Sequence, residues 1–307
     1  MSQISIILPT YNVEKYIARA LESCINQTFK DIEIIVVDDL GNDKSIDIAK
    51  EYASKDDRIK IIHNEENLKL LRARYEGVKI AKSSYVLFLD PDDYLELNTC
   101  EECYNTIKDN KKVDLIFFDA FIINGDHKER KLKIKSQNYQ NKYFLKKILK
   151  NKNLFWTMWG KVIQKDLYMQ AFYALNLQEH IKINMAEDAL LYYPLINHSN
   201  NIFYLNKNLY NYCINSSSIS GKKSISHIQN NINEHELVLK ILQNIKSKKN
   251  ITLLSLIQYF LYEQKFQAQL KINNQKSIFI KKIYFKFLLL LKKYKFKINY
   301  FLRIKFL

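Results

Sequence analysis

Three carboxylates fall within four positions at Asp90-Pro91-Asp92-Asp93, directly after the apolar run Tyr85-Val86-Leu87-Phe88-Leu89. Acids this close repel one another unless a cation joins them. Their hard oxygens suit Mg²⁺ or Mn²⁺, which keep coordination positions open for phosphate oxygens. Taken alone, the triplet fits equally a polar turn that ends a strand and caps the next helix. A second acidic pair, Asp38-Asp39, follows Glu33-Ile34-Ile35-Val36-Val37, and a third, Glu187-Asp188, opens a helical pattern running to Tyr192. Compensation of the helix dipole explains this last pair without chemistry. A carboxylate that takes a proton from a substrate hydroxyl explains it with chemistry.

The elements that must position these acids follow from the hydrophobic pattern. Residues 85–89 suit a strand buried on both faces, stopped by Pro91, which presses Asp90 into an extended conformation. Residues 4–8 read as a first strand closed by Pro9-Thr10-Tyr11-Asn12. Asn12 is then the cap of a helix with Glu14 in its first turn and Tyr16, Ile17, Ala20, Leu21 and Cys24 on its apolar face. The second strand, 33–37, ends in the acidic pair and a Gly41-Asn42 turn. A helix at about 45–54, a third strand at 58–62 and a helix at 70–81 precede the fourth strand; a helix around 96–108 and a fifth strand at 113–118 follow it. This alternation predicts an α/β fold with βαβ units, a mostly parallel sheet and ligands at the C-terminal strand ends. Acids from two separate strands then meet on one edge, which a single turn does not explain.

Beyond the fifth strand the pattern weakens. Residues 128–152 are basic and polar, and read as a surface excursion or a lid. The segment 154–161 holds Trp156 and Trp159 together with Lys161. A partly exposed indole stacks on the flat C–H face of a sugar, and a core-filling role accounts for each ring equally well. The hydroxyls of 215–221, Ser218 and Ser220 among them, suit phosphate or a plain linker. The last third is helical in pattern.

At 307 residues with five glycines and three prolines, the chain holds one large domain or two modest ones without long flexible linkers. Neither G-x-x-x-x-G-K-[ST] nor G-x-G-x-x-G occurs, which disfavours P-loop ATPases and dinucleotide dehydrogenases. Cys100 and Cys103 form a C-x-x-C without a second ligand pair, so buried reduced thiols are expected at these positions. Met1 leads directly into a strand, and a reducing, cytoplasmic setting is expected. The net charge of +16 is concentrated at the C-terminus: after Glu263 no acid occurs, while Lys265 through Lys305 supply twelve basic residues. Residues 276–307 read as a loosely amphipathic basic segment, with no apolar run near the ~20 residues of a spanning helix. It suits anionic lipid headgroups; nucleic acid is the rival, but no nucleic-acid module accompanies the charge.

In order and spacing, "ISIILPTYN" (4–12), "VVDD" (36–39), "NLKLLRARYEG" (67–77), "FLDPDD" (88–93) and Glu187-Asp188 resemble glycosyltransferase family 2, in the GT-A fold. "SCINQTFKDIEIIVVDD", "LLRARYEG", "LDPDDYLELN", "WTMWGK" and "KINMAED" are similar, more narrowly, to bacterial lipooligosaccharide β-1,3-galactosyltransferases. Two positions depart from the family: Lys69 stands where Gly is frequent, and Leu71 where Ser or another small residue is. The resemblance implies a GT-A catalytic domain over 1–222, with a nucleotide-sugar half to about 125 and an acceptor half after it. A helical C-terminal region then spans 223–307. It implies that Pro9, Thr10 and Tyr11 line the uracil and ribose pocket, that Asp39 binds the uracil, and that Asn67 and Arg74 complete the nucleotide site. Asp92 would be the main Mn²⁺ or Mg²⁺ ligand, with Asp90 facing ribose or metal and Asp93 in support. Asp188 would be the general base, oriented by Glu187, and Ser218 and Ser220 would close over the pyrophosphate. Trp156, Trp159 and Lys161 are the acceptor-side candidates. The implied reaction is inverting transfer of galactose from UDP-galactose to a terminal GalNAc of a glycolipid, by an enzyme peripheral on the inner face of the cytoplasmic membrane. A related hexosyl transfer, glucosyl for example, to a lipid-linked oligosaccharide is the alternative. An inactive carbohydrate- or membrane-binding protein on the same scaffold is the alternative of another class.

Overall fold

The computed structural model describes residues 2–110, 112–131, 137–151, 154–215, 224–245 and 250–275. Ser218, Ser220 and the basic segment 276–307 lie outside the described residues. The chain opens with β1 (Ile4–Thr10), α1 (Ile17–Ile25), β2 (Ile32–Asp38), α2 (Ser45–Ala53), β3 (Ile59–His63), α3 (Lys69–Ile80) and β4 (Tyr85–Phe88). These strands lie in the order β3-β2-β1-β4, all parallel. Strand β1 is buried at every position because helices cover both faces. Ile6 and Leu8 point to one layer with Ala20 and Leu21 of α1; Ile7 points to the other with Val78 and Phe88.

Then come β5 (Tyr94–Leu95), α4 (Thr99–Asp109), β6 (Leu115–Asn124), β7 (His127–Lys131), β8 (Gln137–Gln140), α5 (Asn141–Asn151), β9 (Lys161–Gln164), α6 (Lys165–Ala174), α7 (Glu187–His198), β10 (Asn201–Cys213), α8 (Ile225–Asn244) and α9 (Ile251–Gln275). Beyond β4 the sheet becomes mixed. β9 runs antiparallel between β4 and β6, β10 lies parallel to β6, and β5 pairs antiparallel with β10. Residues 128–152 are neither a loose excursion nor a lid where they are described. β7 hairpins onto β6, β8 pairs with β10, and α5 buries Phe144, Leu145, Ile148 and Leu149. Val238, Leu239 and Leu242 of α8 and Leu253, Ile257 and Leu261 of α9 belong to the same buried cluster as Ile7 and Phe88. Among the described residues no helix is long and apolar enough to cross a membrane. Cys24, Cys100 and Cys103 are buried free thiols, as expected.

Two predicted boundaries change for physical reasons. Asn12 does not cap α1, which starts at Ile17. Asn12 takes φ 54° and its Oδ1 accepts the Asn42 N–H at 2.8 Å, tying the loop after β1 to the loop after β2. The helix expected from 96 begins at Thr99, because the Glu96 N–H is engaged by the Leu209 carbonyl of β10 at 3.0 Å.

Gly77 lets α3 lie close on the sheet. A Cβ built there would stand 2.5 Å from Ile7 Cγ2 and 3.0 Å from Val37 Cγ2, both on short branched side chains that cannot swing away. One turn earlier, Arg74 is thereby set over the C-terminal ends of β1 and β4. Gly77→Ala is expected to destabilise the fold by about 1–3 kcal/mol through overpacking, although alanine is the better helix former; urea denaturation measures it.

Candidate active site

The parallel order β2-β1-β4 puts the loops after these strands side by side, so Thr10, Asp39 and Asp90 come to one edge. Asp39 is buried and organises the loops after β2 and β3. Its Oδ1 accepts Asn64 Nδ2 at 2.7 Å and the Leu68 N–H at 2.8 Å, while Asn67 Nδ2 donates to its carbonyl at 3.1 Å. Burial raises the Asp39 carboxyl from its ordinary value, against the pull of those donors. Asp38 points elsewhere, to His63 Nδ1 at 2.7 Å. Pro9 and Thr10 belong to β1 and are buried, with the Thr10 hydroxyl donating back to the Leu8 carbonyl. Of the three residues expected in the base pocket, Tyr11 presents an exposed side chain.

After β4 the acids separate. Asp93 turns inward: Tyr210 Oη donates to Oδ2 and the Cys213 N–H to Oδ1, each at 2.7 Å. Burial and the charges of Asp90 and Asp92 push its carboxyl up to about 8. Asp92 receives Asn215 Nδ2 at 2.7 Å, and Arg19 Nη2 reaches its backbone carbonyl at 2.6 Å. Burial and then the Asp90 charge push Asp92 up to about 6. Among the described residues no group of three or more His, Cys, Asp or Glu side chains is placed to hold a metal ion. Three acids joined by one cation is therefore not the arrangement: Asp93 is committed to the β10 side, leaving Asp92 and Asp90. Two neighbouring carboxylates, one of them raised by the charge of the other, suit a hard divalent cation that takes its remaining ligands from phosphate or water.

Arg74 joins the strand edge to the distant acid pair. Its Nη2 donates to Asp90 Oδ1 at 2.8 Å; Nη1 donates to Glu187 Oε1 at 2.5 Å and to Asp188 Oδ1 at 2.8 Å. The Arg74 and Glu187 side chains are only 2% and 3% exposed, whereas Asp90 and Asp188 keep 24% each and are reachable from solvent. Burial alone would lower the Arg74 pKa, but the charges of Glu187, Asp90 and Asp188 outweigh it and the group stays protonated. Glu187 is raised by burial and by Asp188, which the shared guanidinium only partly offsets. The pair opens α7 behind Ala186, which has φ 63° and makes no side-chain cap. Dipole compensation is thus joined by a specific three-acid contact across 16 to 114 positions of sequence.

The acceptor-side candidates do not share one surface. Trp159 is half-buried and stacks on Tyr210 and Tyr212, with centroids 5.0 and 5.5 Å away. Trp156 packs edge-on against Phe260 of α9. Lys161 is buried: its Nζ donates to the Thr157 carbonyl and faces the rings of Phe117 and Tyr192. Burial lowers its pKa to about 7, against the charge of Asp188. Sequence reasoning missed Arg19, Tyr210 and Asn215, which hold the acids after β4. Arg19 lies on a helix face and Tyr210 in a polar-aromatic strand, and neither spacing marks them.

Residues 5–171 match the family model described as glycosyl transferase family 2. The chain is 32% identical over 228 residues to glycosyltransferase GlyA of Streptococcus pneumoniae, covering 71% of this chain and 31% of that one. It is 30% identical over 217 residues to the glycosyltransferase EpsH of Bacillus subtilis, covering 70% and 62%. It thus spans less than two thirds of the length of either relative. The fold resembles that of Staphylococcus aureus TarS crystallised with UDP-GlcNAc: TM-score 0.65, 21% identity, 87% of this chain and 81% of that one.

Arg74→Met leaves three acids around an uncharged side chain. A loss of about 3–5 kcal/mol at pH 8 is expected. Glu187, already raised by burial, loses the guanidinium charge that opposes that rise. Folding then binds protons, and the deficit shrinks as pH falls. Urea unfolding at pH 8 and pH 5 checks both sign and size.

Proposed function

The chain belongs to glycosyl transferase family 2, and we propose that it transfers a hexose from a UDP-sugar to an oligosaccharide hydroxyl by a single inverting displacement. The observation that carries this reading is the Arg74 cluster, which sets Asp188 against Asp90 although 98 positions separate them: an acid suited to the donor and an acid suited to the acceptor share one guanidinium. In this reading Asp39, with Asn64 and Asn67 around it, forms the base-binding wall, and Tyr11 offers an exposed ring to the base. Held by Asp92 with Asp90, a divalent cation would neutralise charge developing on the departing UDP. Asp188, oriented through its Oδ1 by Arg74, takes the proton of the acceptor hydroxyl as that oxygen attacks the anomeric carbon from the face opposite UDP. Attack from that face inverts the centre, so an α-linked donor yields a β-linked product. No second carboxylate nucleophile is needed.

UDP-galactose as donor, a terminal GalNAc of lipooligosaccharide as acceptor and a β-1,3 linkage are the assignment that the narrower resemblance, 156–161 and 182–188 included, supports. With it go a peripheral site on the inner membrane face and binding of residues 276–307 to anionic lipid. A second reading takes another hexose donor: UDP-glucose, the alternative weighed from the sequence, or UDP-GlcNAc, which the likeness to TarS bound to UDP-GlcNAc supports.

A panel of UDP-galactose, UDP-glucose, UDP-GalNAc and UDP-GlcNAc with a GalNAc-terminated acceptor, in Mn²⁺ and in EDTA, separates the two. Metal-dependent transfer of galactose alone, with a β-1,3 product, is expected; transfer of another sugar discards the galactose assignment and keeps the mechanism. Asp188→Asn should bind UDP within about twofold of the parent and lose about 10²–10⁴-fold in kcat. Parent-like turnover would remove Asp188 from the role of base. The cation must compete with a proton on Asp92, whose pKa is pushed up to about 6. The rise in Tm on adding Mn²⁺ should therefore be full at pH 8, fade below about pH 6 and be absent at both in Asp92→Asn.

A further inference from the structure

The loop that carries the acid pair is held from two sides. From α3, the Leu70 N–H donates to Asn184 Oδ1 at 2.9 Å and the Leu71 N–H to the Ile183 carbonyl at 3.1 Å. Arg72 adds bonds to the carbonyls of Ile181 and Gln178 at 2.7 and 2.6 Å. From α8, far beyond residues 5–171, Glu234 closes the other side. Its Oε2 accepts the N–H groups of Asn184 at 3.0 Å and Met185 at 2.7 Å, and its Oε1 accepts Lys69 Nζ at 2.7 Å. The Glu234 side chain is 15% exposed, so these bonds are shielded from water.

The local backbone explains why such a clamp is needed. α7 starts behind Ala186, whose φ of 63° turns the chain sharply and whose methyl cannot cap the helix. The two N–H groups just ahead of it are satisfied by a carboxylate from another helix. Lys69 carries the same strain at the start of α3, with φ 59°. Its side chain spans to Glu234, while the adjacent Leu68 N–H holds Asp39 Oδ1 at 2.8 Å. One carboxylate thus joins the loop behind Asp188 to the loop beside Asp39.

We infer that Glu234 is a positioning residue for the transfer reaction: by holding the Asn184 and Met185 N–H groups it fixes where α7 begins and so where the Asp188 carboxylate stands relative to the donor wall. This rests on Asp188 acting as the base. Glu234 touches neither donor nor acceptor in this role; its effect is on turnover and not on nucleotide affinity. A misplacement of about 1 Å at a reacting group is worth roughly 10²-fold in rate.

The test uses the full chain and three variants. Glu234→Ala should lower kcat by about 10-fold to 10²-fold with UDP affinity within about twofold, and should deprotect the Asn184 and Met185 amides in hydrogen exchange. Glu234→Gln keeps an acceptor oxygen for those amides and should recover most of the turnover. Lys69→Met removes the ion pair but leaves both amide bonds, and should stay close to the parent in kcat. The inference is overturned if Glu234→Ala deprotects the amides while kcat stays within about twofold, or if Gln rescues nothing and kcat falls only with the folded fraction. An inactive parent with every donor would instead overturn the assignment of Asp188 as base, and amide protection would still report whether Glu234 holds the loop.

Discussion

The charge of Arg74 sets the terms for everything around it. At the effective dielectric of about 20 that suits protein sites, like charges 4 Å apart repel by roughly 4 kcal/mol, so Asp90, Glu187 and Asp188 cannot share a pocket unaided. One guanidinium bonded to all three makes the cluster tenable without making it neutral. Lys161 lies close enough to feel Asp188 and Arg74, but its burial among aromatic rings brings its pKa down to about 7, so at neutral pH it supplies only part of a second positive charge. Asp92 and Asp93 add further acid a few residues away, and both are raised toward neutrality. The proposed divalent cation at Asp92 and Asp90 would offset the charge of the acids that stay ionised and so admit a pyrophosphate.

The geometry that permits the cluster is set in the sheet. Helix α3 connects β3 to β4 and crosses over β2 and β1, which lie between those strands in the sheet. Gly77 brings it close, against Ile7 and Val37. At the opposite end, Glu33 accepts the Ser5 hydroxyl at 2.6 Å and the N–H groups of Lys82 and Ser83 at 2.6 and 3.0 Å, which pins the turn between α3 and β4. With both ends of α3 anchored, Arg74 has little freedom in where it meets Asp90. Burial works against the Glu33 charge, but those donors and Lys60 prevail and hold its carboxyl down at about 2, so the pin is charged throughout the neutral range.

The parts legible in the sequence were those with strong local patterns. Runs such as Ile4-Ser5-Ile6-Ile7-Leu8 and the acids after β2 and β4 specify parallel strands and a polar edge, because burial on both faces needs near-continuous apolar residues and a carboxylate inside a strand, such as Glu33, needs its own set of donors. β7 to β10 were not legible: β8 and β9 are four residues long and β10 changes register between Leu205 and Tyr210, so no alternation marks them. Residue types named the acids correctly as a group, yet not their partition. That Asp93 faces Tyr210 while Asp90 faces Arg74 depends on a turn closed by the Asp93 N–H on the Asp90 carbonyl at 2.9 Å. That Lys161 is buried depends on β9 entering the sheet between β4 and β6, which the aromatic segment before it did not suggest.

The departure at Lys69 acquires a meaning in this light. A left-handed backbone costs a non-glycine residue roughly 1–2 kcal/mol, which is why glycine is at home in that conformation. Lysine there is tolerable if its side chain does something glycine cannot, and the ion pair with Glu234 is such a function. The strain at residue 69 and the strain at Ala186 then meet on one carboxylate of α8, between the strand that carries Asp39 and the helix that carries Asp188. Arg74 to Glu187 spans 113 positions and Lys69 to Glu234 spans 165, so neither contact forms until the sheet, α7 and α8 are all in place. The acid cluster is therefore a property of the completed fold and not of any segment of it, and residues as far along the chain as Glu234 are bonded to the loop that leads into its acid pair.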